Sequence, residues 1–124
     1  MYSKRHKILI IDDEAKIRNI YVRIFIEVGF IVRWAGDAER ALDIILKEKM
    51  DLVLLDIRMP GVDGKAMFDV IQEYDPLLKV VIASVYPIER QRQLIPKAID
   101  YYDKSNGLEI LLGKVVEVAG HPSL

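Results

Sequence analysis

The sequence contains no cysteine, and none of its apolar runs is long enough to cross a membrane. The missing cysteine excludes disulfide bonds, thiolate metal sites and a cysteine nucleophile, and it fits the cytoplasm, where we expect this protein. A net charge of −1 provides no overall attraction to nucleic acid or to anionic lipid. We therefore expect neither direct nucleic-acid binding nor membrane binding.

Short apolar runs alternate with segments of helical periodicity along the whole chain. The runs predict strands at residues 8–11, 31–35, 52–56, 79–84 and 99–102, each followed by a helical segment. Such alternation predicts an α/β fold with a parallel sheet, right-handed crossovers and helices on both faces. With no linker, repeat or low-complexity segment, residues 1–124 are expected to form a single domain, with no output domain in this chain.

The stretch 51–64 contains the most informative residue of the sequence. Four apolar residues run directly into Asp56, and a Pro-Gly pair and an Asp-Gly pair follow. The unbroken run predicts a strand buried on both faces, and the two pairs predict a loop after it. Asp56 is therefore expected at the carboxyl end of a central strand, where open parallel α/β sheets bind ligands.

Polar side chains also follow the other predicted strands. Asp12 and Asp13 follow the first strand. Ser84 ends the fourth strand, and Lys104 comes shortly after the fifth. Because the carboxyl ends of parallel strands meet at one edge of the sheet, we expect these side chains to converge near Asp56.

The expected cluster has the composition of a magnesium-dependent phosphoryl site. Three carboxylates at close range repel one another unless a cation or a proton neutralises them, and Mg²⁺ prefers such oxygen ligands. A lysine and a hydroxyl at the same edge suit a phosphoryl group. The combination predicts phosphoryl transfer onto Asp56, with its carboxylate as the nucleophile. Singly, each residue has a plainer interpretation, as a helix cap, turn residue, loop hydroxyl or solvated lysine.

Two motifs resemble those of a known family. The Asp-Asp pair after residues 8–11 and the sequence LLDIRMPGVDG at 54–64 are similar to those of the receiver domain of two-component response regulators, and in particular to chemotaxis-regulator-like receivers. The resemblance extends from the first predicted strand through the last helix. It implies a flavodoxin-like, doubly wound, five-stranded parallel sheet with strand order 2-1-3-4-5 and five helices.

The resemblance also implies how phosphorylation would occur. Asp56 would accept a phosphoryl group from a sensor histidine kinase or a phosphotransfer protein. Asp12 and Asp13 would hold Mg²⁺ together with Asp56 and the backbone carbonyl of Arg58. The protein would then be a phosphoprotein that carries a signal, and not an enzyme acting on a separate substrate.

A further implication concerns a conformational switch and the proteins that would bind the changed surface. Ser84 and Lys104 would contact the phosphoryl group, and Tyr101 matches the switch aromatic whose rotamer follows Ser84. Phosphorylation would then bury Tyr101 and change the surface formed by the fourth helix, the fifth strand and the fifth helix. A downstream protein, a fused output domain or a second copy in a homodimer would bind there.

Three features depart from the family pattern. Lys104 is followed by Ser105, where the family usually has a cis proline. A non-proline cis bond costs about 3 kcal/mol, so we expect this peptide to be either trans or strained. Val85 stands where a small residue is usual, and it is expected to crowd the phosphoryl pocket. The segment before the fifth strand is short, polar and interrupted by Pro96, which predicts a short, loosely held helix.

Two other functions stay open at this stage. The departures favour, as the alternative, a phosphorylation-independent receiver that acts as a protein-binding module. The third hypothesis is a Mg²⁺-dependent phosphatase of the aspartyl-phosphate type. It is disfavoured because the nucleophile of that class usually begins an Asp-x-Asp motif on the first strand, whereas Asp12 and Asp13 are adjacent.

Overall fold

The structure, a computed structural model, describes residues 5–59 and 61–120, and Pro60 of the predicted loop lies outside them. Five strands alternate with five helices. The strands are β1 (Lys7–Ile11), β2 (Ile31–Ala35), β3 (Leu52–Leu55), β4 (Lys79–Ser84) and β5 (Asp100–Asp103). The helices are α1 (Ala15–Val28), α2 (Ala38–Lys47), α3 (Gly64–Tyr74), α4 (Ile88–Leu94) and α5 (Leu108–Ala119).

The strands form one parallel sheet in the order β2-β1-β3-β4-β5. This confirms the predicted α/β architecture and the strand order that the resemblance implied. Every residue of β3 is buried, as is every residue of β1 after Lys7. Strands buried on both faces are expected at the centre of a parallel sheet covered by helices on each side.

Alternate residues of the strands supply two separate apolar clusters, one on each face. Leu9 and Ile11 pack with apolar residues of α2 and α3, whereas Ile8 and Ile10 pack with those of α1 and α5. This division follows from the period of two in a strand. The polar side chains of Asp12, Asp56 and Ser84 lie at the carboxyl ends of the strands, beyond these two clusters.

The loop after β3 is held by the start of α3. The Asp63 side chain caps the helix by accepting hydrogen bonds from the backbone N–H groups of Lys65 and Ala66. Gly64 lets the loop fold back on itself, since a Cβ there would lie 2.6 Å from the Cβ of Ile57. This packing keeps the residues that follow Asp56 close to it.

Three strands differ from the prediction by one residue at an end, the first being β1, which begins at Lys7 and not at residue 8. Asp56 follows β3 and does not end it. β5 begins and ends one residue later than predicted, because Asp103 pairs with Ser84 in the ladder while Ile99 is half exposed. These shifts leave the polar residues at the predicted edge. Among the described residues, no helix combines the length and the apolar character needed to span a membrane.

Candidate functional site

Three carboxylates converge at the carboxyl edge of the sheet. Asp12 follows β1 and Asp56 follows β3, and these two strands are neighbours. One oxygen from each of Asp12, Asp13 and Asp56 lies within 4.8 Å of the other two. Asp12 and Asp56 are buried, whereas Asp13 is exposed to solvent. The three side chains fit a hard cation such as Mg²⁺, which binds carboxylate oxygens and keeps several waters.

Lys104, which directly follows β5, extends its side chain to this cluster. Its Nζ donates to Oδ2 of Asp12 at 2.7 Å and to Oδ2 of Asp56 at 3.0 Å. Its backbone N–H donates to the carbonyl of Ser84, which anchors the lysine at the end of β4. A single ammonium group thus bridges two buried carboxylates, and the cluster keeps an excess of negative charge that attracts a cation.

Burial and charge perturb both partners of this bridge. Burial raises the pKa of Asp56 above its ordinary value, and Asp12 adds to the effect, whereas the Arg58 N–H and the Lys104 charge oppose it. Burial alone would lower the pKa of Lys104, but the hydrogen bond to Asp12 and the charge of Asp56 outweigh it and raise the pKa. Lys104 is therefore a permanent cation at neutral pH.

The backbone after β3 also binds the Asp56 carboxylate. The N–H of Arg58 donates to Oδ1 of Asp56 at 2.9 Å, so each oxygen of this carboxylate has one donor. The guanidinium of Arg58 lies 5.2 Å from the ring centre of Tyr86. The hydrogen bond from its N–H places the Arg58 backbone beside the Asp56 carboxylate. Binding of a metal ion by the Arg58 carbonyl stays a prediction.

An open cavity of about 460 Å³ gives access to the cluster. Its walls are Asp13, Glu14, Asp56, Arg58, Val85 and Lys104. Val85 is 57% exposed at this cavity, so it lines the opening and leaves it accessible. Sequence reasoning missed Glu14, although its place in the acidic run at 12–14 was a usable signal.

Ser84 lies at the same edge but outside the walls of this cavity. Its side chain is fully buried, and Oγ accepts a hydrogen bond from the backbone N–H of Tyr86 at 3.2 Å. This contact closes the start of the loop between β4 and α4. The predicted contact of Ser84 with a phosphoryl group therefore stays a prediction.

Tyr101 faces the interior in this structure. It is only 3% exposed, its hydroxyl donates to the carbonyl of Ile95, and the guanidinium of Arg92 lies 5.0 Å from the ring centre. The sequence led us to expect burial of this ring as a consequence of phosphorylation. The ring is already buried, so that movement is absent from this conformation.

Gln91 is a buried polar residue that sequence reasoning missed. Its Nε2 donates to the carbonyls of Tyr86 at 2.8 Å and Tyr102 at 2.9 Å, and the side chain is fully buried. Gln91 thereby ties α4 to β5 and to the loop after Ser84. The helix is short, as predicted, but it is held more firmly than its few apolar residues suggested.

The turn after Lys104 has serine, and not proline, at position 105. The described residues contain no cis peptide, so the bond between Lys104 and Ser105 is trans. The Asp103 carboxylate accepts hydrogen bonds from the backbone N–H of Ser105 at 2.9 Å and from its hydroxyl at 2.7 Å. This side-chain turn orients the backbone so that Lys104 still reaches the carboxylates.

Comparison with known proteins identifies relatives of the same kind. A family model described as "Response regulator receiver domain" matches residues 8–115. Sporulation initiation phosphotransferase F of Bacillus subtilis is 39% identical over 80 residues, which are 64% of each chain. A putative response regulator NtrX-like of Rickettsia bellii is 36% identical over 118 residues, which are 90% of this chain and 25% of that protein. The chain thus spans less than two thirds of these relatives.

Solved structures show the same architecture. The response regulator TrrA of Thermotoga maritima, crystallised with Mg²⁺ and BeF, superposes with a TM-score of 0.83 at 30% identity, over 91% of this chain and 98% of that one. TrrA in complex with the histidine kinase ThkA gives the same score and identity, over 91% of this chain and 97% of TrrA.

Proposed function

Because the chain belongs to the response regulator receiver domain family, we propose that it is a phosphoacceptor of a two-component system. In this proposal Asp56 takes a phosphoryl group from a histidine kinase or a phosphotransfer protein in a Mg²⁺-dependent reaction. The observation that carries the proposal is the Asp56 carboxylate, buried beside Asp12 and the Lys104 ammonium at the base of an open cavity.

The geometry supports a defined role for each side chain. Asp12, Asp13 and Asp56 would hold Mg²⁺, whose charge would neutralise the oxygens of the transferred phosphoryl group. An oxygen of Asp56 would form the new P–O bond, while the bond from phosphorus to the donor breaks and the donor keeps the electron pair. Lys104, already within 3.0 Å of Asp56, would pair with a phosphoryl oxygen once the acyl phosphate forms.

The product of this reaction stays on the protein, so we infer a signalling role and not turnover of a separate substrate. A kinase as the phosphoryl source is supported by TrrA, which has been crystallised with a histidine kinase. The phosphorylated form would act on a downstream protein or on an output domain in the same polypeptide. The surface made of α4, β5 and α5 is the proposed site of that interaction, in the cytoplasm.

A second candidate function is a receiver that binds its partner without phosphorylation. It is favoured by Tyr101, whose ring is already buried and covered by Arg92. A surface fixed in one conformation would bind its partner with the same affinity whether or not Asp56 carried a phosphoryl group.

Intact-mass measurement after incubation with acetyl phosphate and Mg²⁺ tests the leading proposal. We expect a gain of one phosphoryl group in the wild type and in Asp69→Asn, whose exposed carboxylate pairs with Lys65 on α3. Asp56→Asn should show no gain. If the wild type gains nothing and also fails to bind Mg²⁺ with BeF, the phosphoacceptor proposal is wrong and the phosphorylation-independent function is favoured.

A further inference from the structure

Arg18, in the first turn of α1, makes an unusual set of contacts behind the acidic cluster. Its Nη1 donates to the backbone carbonyl of Asp12 at 2.9 Å. Its guanidinium carbon lies 4.1 Å from the ring centre of Trp34 on β2, within the range of a cation–π contact. The side chain is half-buried and lies over the loop that carries the first two carboxylates.

The corner after β2 leaves space for this guanidinium. A Cβ at Gly36 would lie 2.9 Å from Nη1 of Arg18. Gly36 is not among the residues with positive φ, so its backbone conformation does not require glycine. The lack of a side chain at Gly36 therefore matters here for space, and Trp34 and Gly36 together confine the guanidinium of Arg18.

Arg18 supplies one of four hydrogen bonds that hold Asp12. The backbone N–H of Asp12 donates to the carbonyl of Ala35, and its carbonyl accepts from Arg18. Its side chain accepts from the N–H of Glu14 through Oδ1 and from Lys104 through Oδ2. The peptide that joins Asp12 to the next residue is thus held through its carbonyl by a single side chain.

We propose that Arg18 is a positioning residue for the cation site. By holding the Asp12 carbonyl, it fixes the peptide between Asp12 and Asp13 and therefore the direction of both carboxylates toward Asp56. This inference rests on the proposed function, because it assumes that Mg²⁺ binds at the three carboxylates. Groups that orient metal ligands from behind typically contribute about 10- to 100-fold to metal affinity.

Because Arg18 is charged, the direction in which Mg²⁺ affinity changes when it is removed tests the proposal. Coulomb's law alone predicts that removing a cation near a Mg²⁺ site tightens Mg²⁺ binding. A positioning role predicts the opposite, since the carboxylates lose their fixed direction. Gly36→Ala separates the two effects further, because its methyl group would displace the guanidinium without changing any charge.

Calorimetric titration of the full chain with MgCl₂ is the test. We expect Arg18→Ala and Gly36→Ala to weaken Mg²⁺ binding about tenfold. Arg18→Lys should fall between these variants and the wild type, because an ammonium keeps the charge but lacks the planar fork. Arg23→Ala is the matched control, an exposed arginine lost from the same helix, and it should change the affinity by less than about twofold.

Acrylamide quenching of Trp34, the sole tryptophan, reports whether the guanidinium has left the ring. Quenching should rise in Arg18→Ala and in Gly36→Ala. Unchanged or tighter Mg²⁺ binding in variants with raised quenching overturns the inference and leaves the phosphoacceptor proposal intact. A wild type that binds no Mg²⁺ overturns both. Should Arg18→Ala not fold, Gly36→Ala and Arg18→Lys carry the test.

Discussion

Asp56 combines two requirements that conflict at the level of one side chain. A nucleophilic carboxylate has to be ionised, yet burial raises the pKa of Asp56 above its ordinary value near 3.8. The folded protein therefore binds this proton more tightly than the unfolded chain does. The stabilisation is complete below the ordinary pKa and is lost as the pH rises through the raised pKa, so at neutral pH the ionised Asp56 destabilises the fold.

Asp56→Asn should accordingly stabilise the protein at neutral pH. The amide carries no charge, and Lys104 keeps its bond to Asp12. We expect the free energy of unfolding in urea to rise by about 1 kcal/mol at pH 7. The gain should shrink as the pH falls through the raised pKa of Asp56, because the wild-type carboxyl then takes up a proton too. Asp69→Asn should show no comparable gain, and a gain that grew on acidification would contradict the raised pKa.

Sequence reasoning located the residues of the acidic edge because topology alone brings strand ends together. Asp12 and Asp13 follow β1, Asp56 follows β3 and Lys104 follows β5, and the parallel sheet places these strand ends at one edge. The contacts of Arg18 could not be found this way. They depend on how a helical side chain packs against the neighbouring strand, which residue spacing does not encode.

At the level of elements, α4 depends on one polar side chain. Gln91 donates to the carbonyls of Tyr86 and Tyr102, whereas its own Oε1 is buried without a partner among the described residues. A buried unpaired oxygen destabilises the fold, so Oε1 of Gln91 offsets part of the stability that the two Nε2 hydrogen bonds provide. Such a balance favours local opening of α4 at a lower free energy than opening of the core strands.

Gln91→Leu should loosen α4. The substitution removes the buried hydrogen bond to the Tyr102 carbonyl and the half-buried one to the Tyr86 carbonyl, so we expect a loss of about 2 kcal/mol in the free energy of unfolding. Amide hydrogen exchange over residues 88–94 should accelerate more than exchange in α5. Gln93→Leu changes an exposed glutamine of the same helix and should leave the exchange rates nearly unchanged. Equal protection of α4 in both variants would show that Gln91 does not hold the helix.

The elements themselves were predictable, and the failures have physical causes. The buried strands are recognisable in the sequence as apolar runs. The short length of α4 was correctly predicted from Pro96. Its firm attachment was missed, since Gln91 and Gln93 look alike in a polar sequence although one is buried and the other exposed. Likewise, Ile99 is apolar but half exposed, so β5 was predicted one residue too early.

At the scale of the whole molecule, charge is balanced overall and unbalanced locally. The net charge is −1, yet three carboxylates and one ammonium group meet at the ends of β1, β3 and β5. Each apolar face of the sheet is covered by helices, so the repulsion at the edge acts on a single cooperative fold. Relief of that repulsion should therefore appear as global stability.

Mg²⁺ should raise the midpoint of thermal unfolding of the whole chain. A ligand that binds only the folded state stabilises it by about 2.7 kcal/mol at a concentration one hundred times its dissociation constant. Asp13→Asn removes an exposed member of the cluster and should abolish most of this gain, while its own midpoint without Mg²⁺ stays equal or rises because one repelling charge is gone. Asp43→Asn, which removes an exposed carboxylate from α2, should respond to Mg²⁺ as the wild type does. If Asp13→Asn kept the full Mg²⁺ gain, the cation would be bound elsewhere, and the three carboxylates at the sheet edge would not be its site.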